Sequence, residues 1–144
     1  SSHRMSNPLP GKGQAYAGRF EDSEGRRLFG EDSYVMRIPA DPPAQLFWSM
    51  VIYDSHTRTL IDTDQQKATI GSRATPDMVV NDDGSIYIFV GPEPPAGYEE
   101  NWIKSAPGRG WFPYFRLYGP TKPWFDLSWE LPPIERVDFA DYGR

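Results

Sequence analysis

Cysteine is missing from the 144-residue chain, which excludes disulfides, thiolate metal centres and cysteine nucleophiles and leaves the redox character of its compartment open. Histidine is almost missing too. Only His3 and His56 occur, too few for a three-histidine metal centre within one chain, although carboxylates remain as metal ligands. No basic run exceeds the pair Arg26-Arg27, and the formal net charge is −5. A nucleic-acid surface needs a positive stripe to displace counterions, so nucleic acid is not expected as a partner. No window approaches the ~20 apolar residues that span a bilayer, and no charged-then-apolar leader pattern opens the sequence, so no membrane span is expected. The nucleophile elbow G-x-S-x-G does not occur, and the "GKG" and "GRG" triplets lack the strand, spacing and helix start of a phosphate-binding loop. No cofactor is implied.

What the chain has in abundance is proline (15), glycine (13) and aromatic residues (5 Trp, 8 Tyr, 8 Phe). Proline and glycine make up about a fifth of the residues against roughly 12% in average usage, which interrupts helices and favours short strands joined by turns. The aromatic rings bury large areas each and argue against disorder. A chain of this length can bury roughly 70% of its unfolded surface as one domain. The sequence reads as a lead-in over residues 1–15, in which "SSHR" ahead of Met5 resembles a cloning remnant, followed by a single domain over residues 16–144.

Within that domain the pattern is one of strands. Tyr34, Met36 and Ile38 alternate with Ser33, Val35 and Arg37, the period of a half-buried strand closed by Pro39, Pro42 and Pro43. The longest apolar run, "QLFWSMVIYD" at residues 45–54, places Phe47, Val51 and Tyr53 on one face and Trp48, Met50 and Ile52 on the other. A strand apolar on both faces is expected to be central and covered twice. Shorter strand-like pieces follow at Leu60-Ile61 and residues 68–70. "DMVV" and "SIYIFVG" flank "NDDG", which predicts a β-hairpin turning at Gly84. Residues 91–110 are expected as one long loop, the length at which loops are often functional. "WFPYFRLYG" predicts a strand with Phe112, Tyr114, Arg116 and Tyr118 on one face and Trp111, Phe115 and Leu117 on the other. Trp124, Phe125 and Trp129 then supply rings for packing on the sheets. Seven to nine such strands predict an all-β, antiparallel β-sandwich with long Pro/Gly-rich loops.

The series "FGEDSYVMRIP", "PPAQLFWSMVIYDSHTR", "NDDGSIYIFVGPEPPAGYEENWIKSAPGRGWFPYFRLYGP" and "WFDLSWELPPIE" resembles the family called domain of unknown function 1214, over about residues 16–137. The resemblance implies a jelly-roll-like sandwich. It also implies a companion, since the family is usually the C-terminal half of larger proteins whose N-terminal half is domain of unknown function 1254. It brings no activity with it. The companion is absent from this chain, which reads as a truncation or as a stand-alone member.

Several residues are candidates for a site. Arg116 sits among aromatics on a buried-looking face, where a lone charge must be paired or solvated. Structural pairing to a carboxylate or to loop carbonyls carries the greater weight. The alternative is a pocket in which Arg116, Tyr114 and Tyr118 grip an anionic or hydroxylated ligand. Asn101 and Trp102 either plug the end of the sandwich or offer an amide and a ring to a sugar. Asp82 and Asp83 in "NDDG" suit a self-capping turn better than calcium. His56 with Asp54 is the one candidate acid-base pair, and an exposed turn histidine is the default. No pair among the 20 acidic residues can be nominated for glycoside cleavage. Two functions follow: a non-catalytic interaction module, meeting a companion domain or a second copy through exposed apolar surface, and a carbohydrate- or small-ligand-binding domain, hydrolytic or not, built on Asn101, Trp102, Tyr114, Arg116 and Tyr118.

Overall fold

The computed structural model describes residues 2–5, 14–40, 42, 44–120 and 131–143. Nine strands among these residues form two sheets. The first contains β1 (Ser2–Met5), β2 (Gln14–Arg19), β8 (Trp111–Pro120), β4 (Ala44–Asp54) and β5 (Thr69–Gly71), in that order and antiparallel throughout. The second runs β7 (Trp102–Lys104), β6 (Ile86–Gly91), β3 (Tyr34–Ile38) and β9 (Ile134–Arg136). Its pairs are antiparallel except β6 with β7, which is parallel.

Alternation decides which side chains meet between the sheets. Trp48, Met50 and Ile52 of β4 and Trp111, Phe115 and Leu117 of β8 join Tyr34, Met36 and Ile38 of β3 and Ile88 and Val90 of β6 in one buried cluster. The all-β sandwich read from the sequence is therefore the observed architecture. Trp48 stacks on Phe115 at 5.4 Å between centroids, and Tyr34 meets Trp111 edge-on at the same distance. Burying each such side chain contributes roughly 1.5–3 kcal/mol.

The outer faces differ. A second cluster, Val35, Phe89 and Tyr98 with Tyr87, Val137, Phe139 and Tyr142, covers the back of the β7-β6-β3-β9 sheet. The 3₁₀ turn Phe139–Asp141, capped by the Asp138 side chain at 2.9 Å to the Ala140 amide, supplies part of this cover. The back of the larger sheet carries half-exposed rings instead.

Four expectations are revised. "DMVV" is not a strand, because the Asn101 side chain takes both the N–H and the C=O of Val79. "NDDG" still turns at Gly84 (φ +86), with Gly84 N–H on Asn81 O at 2.8 Å, but leads from a loop into β6. The stretch 91–110 contains a 3₁₀ turn, Glu99–Asn101, and β7. Within the expected lead-in, Ser2–Met5 pairs with β2. Trp124, Phe125 and Trp129 lie outside the described residues.

Candidate functional site

The outer face of the larger sheet is built by the odd residues of β4 and the even residues of β8. Register sets Arg116 between Tyr16 of β2 and Ser49 of β4, Tyr114 between Gly18 and Val51, and Tyr118 beside Phe47. Phe47 stacks on Tyr118 (4.1 Å, 16°) and Tyr53 on Phe112 (5.5 Å, 14°), while Tyr114 meets Tyr53 and Phe112 edge-on at 5.7 Å. Gly18 permits this layer: a Cβ there would lie 2.8 Å from Cε1 of Tyr114. The rings shield one another, but Tyr16, Phe47, Tyr53, Tyr114, Arg116 and Tyr118 all stay half-exposed.

Arg116 occupies the middle. Its Nη2 donates to Tyr53 Oη at 3.3 Å, and its guanidinium lies 5.3 Å from the Tyr16 ring centroid. No carboxylate pairs with it among the described residues, and Nε is buried without a hydrogen-bond partner there. Burial works against its charge, yet the Tyr118 hydroxyl and the neighbouring Tyr53 and Tyr16 hold its pKa above the ordinary arginine value. Two further guanidiniums lie on rings of the same face, Arg73 over Phe47 at 4.4 Å and Arg58 over Phe112 at 5.7 Å. Neither is in an ion pair among the described residues. An acidic chain thus presents a cationic, aromatic face, the side-chain chemistry that dominates binding hot spots.

Asn101 ends the 3₁₀ turn that leads into Trp102, the first residue of β7 in the other sheet. Asn101 is fully buried and makes three hydrogen bonds: Oδ1 accepts from Val79 N at 2.8 Å, and Nδ2 donates to Val79 O at 3.0 Å and Tyr87 O at 2.9 Å. Its amide stands in for a strand residue, which leaves it no free donor or acceptor beyond a lone pair. The Trp102 indole donates to Gly91 O at 2.9 Å. The candidate set therefore divides. Tyr114, Arg116 and Tyr118 come together on one face, whereas Asn101 and Trp102 tie down a loop elsewhere.

Asp54 is a hub. Its Oδ1 accepts from the backbone N–H groups of His56 (2.8 Å) and Thr57 (3.2 Å), and its Oδ2 accepts from Arg109 Nε at 2.5 Å. Burial raises its pKa, but Arg109 and the two N–H groups outweigh it and hold the carboxyl below the usual range. Asp54 thus bonds the His56 backbone and caps a turn, the Asx geometry that an Asp followed by polar residues signals in sequence. Asp83 is likewise occupied: Oδ1 accepts from the Ser85 hydroxyl and N–H, and Oδ2 from Arg37 Nη2 at 2.7 Å. These contacts, Ser85 first, lower its pKa to about 2. No group of three His, Asp or Glu side chains suited to a metal ion occurs among the described residues.

One contributor has no signal in the sequence. Gln65 Nε2 donates to Trp102 O at 3.0 Å, and Gln65 Oε1 accepts from Lys104 N at 2.7 Å. A side-chain amide thus pairs the free edge of β7 as a neighbouring strand would, which blunts an edge that could otherwise recruit another chain.

Comparison with known proteins adds a family and a fold. The family model described as "Protein of unknown function (DUF1214)" matches residues 13–122. No curated protein matches. The fold is similar to that of a crystal structure of a Vibrio parahaemolyticus protein (TM-score 0.75, 27% identity, 87% of this chain and 31% of that one). It is also similar to that of an uncharacterised protein from Burkholderia cenocepacia (TM-score 0.62, 18% identity, 89% of this chain and 31% of that one). The chain spans about a third of the length of the solved proteins it matches.

Proposed function

Since the chain belongs to the DUF1214 family, we propose from its own residues that it is a non-catalytic interaction module whose Arg116 face docks on the companion domain of unknown function 1254. The observation that carries this reading is the half-exposed layer of Phe47, Tyr53, Tyr114 and Tyr118 around a guanidinium that has no carboxylate among the described residues. A half-desolvated cation and stacked rings gain most from a partner that brings acidic groups and excludes water. The greater length of the solved relatives, in which this fold matches 31% of the chain, supports a partner of domain size.

Titration of the chain with separately produced domain of unknown function 1254, followed by calorimetry, tests the proposal. Saturable binding is expected. Arg116→Ala should weaken it by about 2 kcal/mol, ~30-fold, as truncation of a central arginine does. Arg37→Ala, on the other sheet, should leave it unchanged. Failure to form a complex, or equal loss with both variants, overturns the reading.

A further inference from the structure

Two adjoining hollows lie at one end of the sandwich, where β8 begins and β4 ends. A cavity of ≈150 Å³ between Phe20, Arg27, Leu28, Ser55, Arg58, Trp111 and Phe112 shares Arg27, Leu28 and Ser55 with a cleft of ≈510 Å³ that also reaches Phe29, His56 and Arg109. The outer cleft alone is large enough for a small organic molecule, and the inner cavity adjoins it at these three residues. The inner cavity is aromatic: Phe20 and Phe112 lie 5.3 Å apart between centroids, and Phe29, 44% exposed, adds an apolar wall to the outer cleft. Its polar groups are donors. Arg27 and Arg58 form no ion pair among the described residues. Among the described residues the Ser55 hydroxyl makes no hydrogen bond, and the Trp111 indole N–H, on a side chain only 3% exposed, has no partner. Glu31 is the single acid on either wall among the described residues. Arg109 is held by Asp54, which also fixes the turn that carries Ser55 and Arg58, the latter at φ +63.

Unpaired donors above an aromatic floor call for a ligand that supplies acceptors at one end and apolar surface at the other. We propose that this cleft binds a small organic monoanion with an apolar body, its carboxylate between Arg27 and Arg58 and its body against Phe20 and Phe112. The site adjoins the Arg116 face, with which it shares Arg58 and Phe112, but its ligand does not call on Arg116 itself.

Phenylacetate and octanoate serve as probes, with phenylacetamide as the neutral control, in calorimetric titration of the full chain. Saturable binding of at least one anion is expected, with the amide about tenfold weaker or worse. Arg27→Gln and Arg58→Gln, both exposed positions that leave the core untouched, should each weaken the anion about tenfold, and Arg116→Ala should not. Absence of saturable binding by both anions overturns the proposal. So does equal binding of acid and amide, or binding by both Gln variants as tight as that of the unmodified chain.

Discussion

Replacement of Asn101 by alanine separates a structural amide from a binding one. The change removes three hydrogen bonds from a fully buried side chain and strands the N–H and C=O of Val79 and the C=O of Tyr87. Each buried polar group left unpartnered costs about 1–3 kcal/mol. Water that enters the vacated space recovers part of this, since Val79 and Tyr87 are only half-buried. The net loss should be about 3–5 kcal/mol, a large fraction of the 5–15 kcal/mol typical of a domain. Urea unfolding followed by far-UV circular dichroism should show a lower midpoint at similar slope, and the melting temperature should fall by ~10 °C or more. Asn101→Asp should be no better at neutral pH, because a carboxylate oxygen would face two carbonyls, and should recover in part as acid protonates it. A loss below about 1 kcal/mol for Asn101→Ala would refute the reasoning and return this amide to the list of candidate ligand contacts.

Three further outcomes are expected. The carboxyls of Asp22, Asp54 and Asp83 all have folded-state pKa values below their ordinary range. Their contribution to stability is therefore complete above about pH 4 and lost as pH falls toward 2. Acid unfolding of Asp83→Asn should show a flatter limb over that window, and an unchanged limb would count against the Ser85–Asp83–Arg37 contacts. Gly18→Val drives a Cβ into Tyr114 at 2.8 Å. It should displace the ring and weaken docking while the chain stays folded, which calorimetry with the companion domain and circular dichroism together report. Gln65→Ala frees the β7 edge, so amide exchange at Lys104 should accelerate while that of Val90 in β6 stays slow, with uniform rates refuting the capping role.

The fold was legible wherever alternation was strong. β3, β4 and β8 lie where period-two patterning put them, and the faces of β8 divide at Arg116 as read. Patterning failed where a side chain took over a backbone role. Val79 looks like a strand residue, and Asn101, 22 positions on, satisfies its ladder groups instead. β7 was hidden in a proline-rich stretch because three residues show no period, and its edge partner Gln65 lies 37 positions before Trp102. Arg116 was singled out as a charge among rings. Its cationic neighbours Arg58 and Arg73 were not, because only the register of β4 with β8 and β5 brings their turns to the same face.

The measurement closest to the central claim is hydroxyl-radical footprinting of the chain with and without the companion domain of unknown function 1254. The account predicts protection of Tyr53, Tyr114 and Tyr118 on the Arg116 face, with Tyr87 and Tyr142 on the opposite sheet unchanged. Protection confined to Tyr87 and Tyr142, or no protection at concentrations where the domains are mixed in micromolar excess, would contradict it.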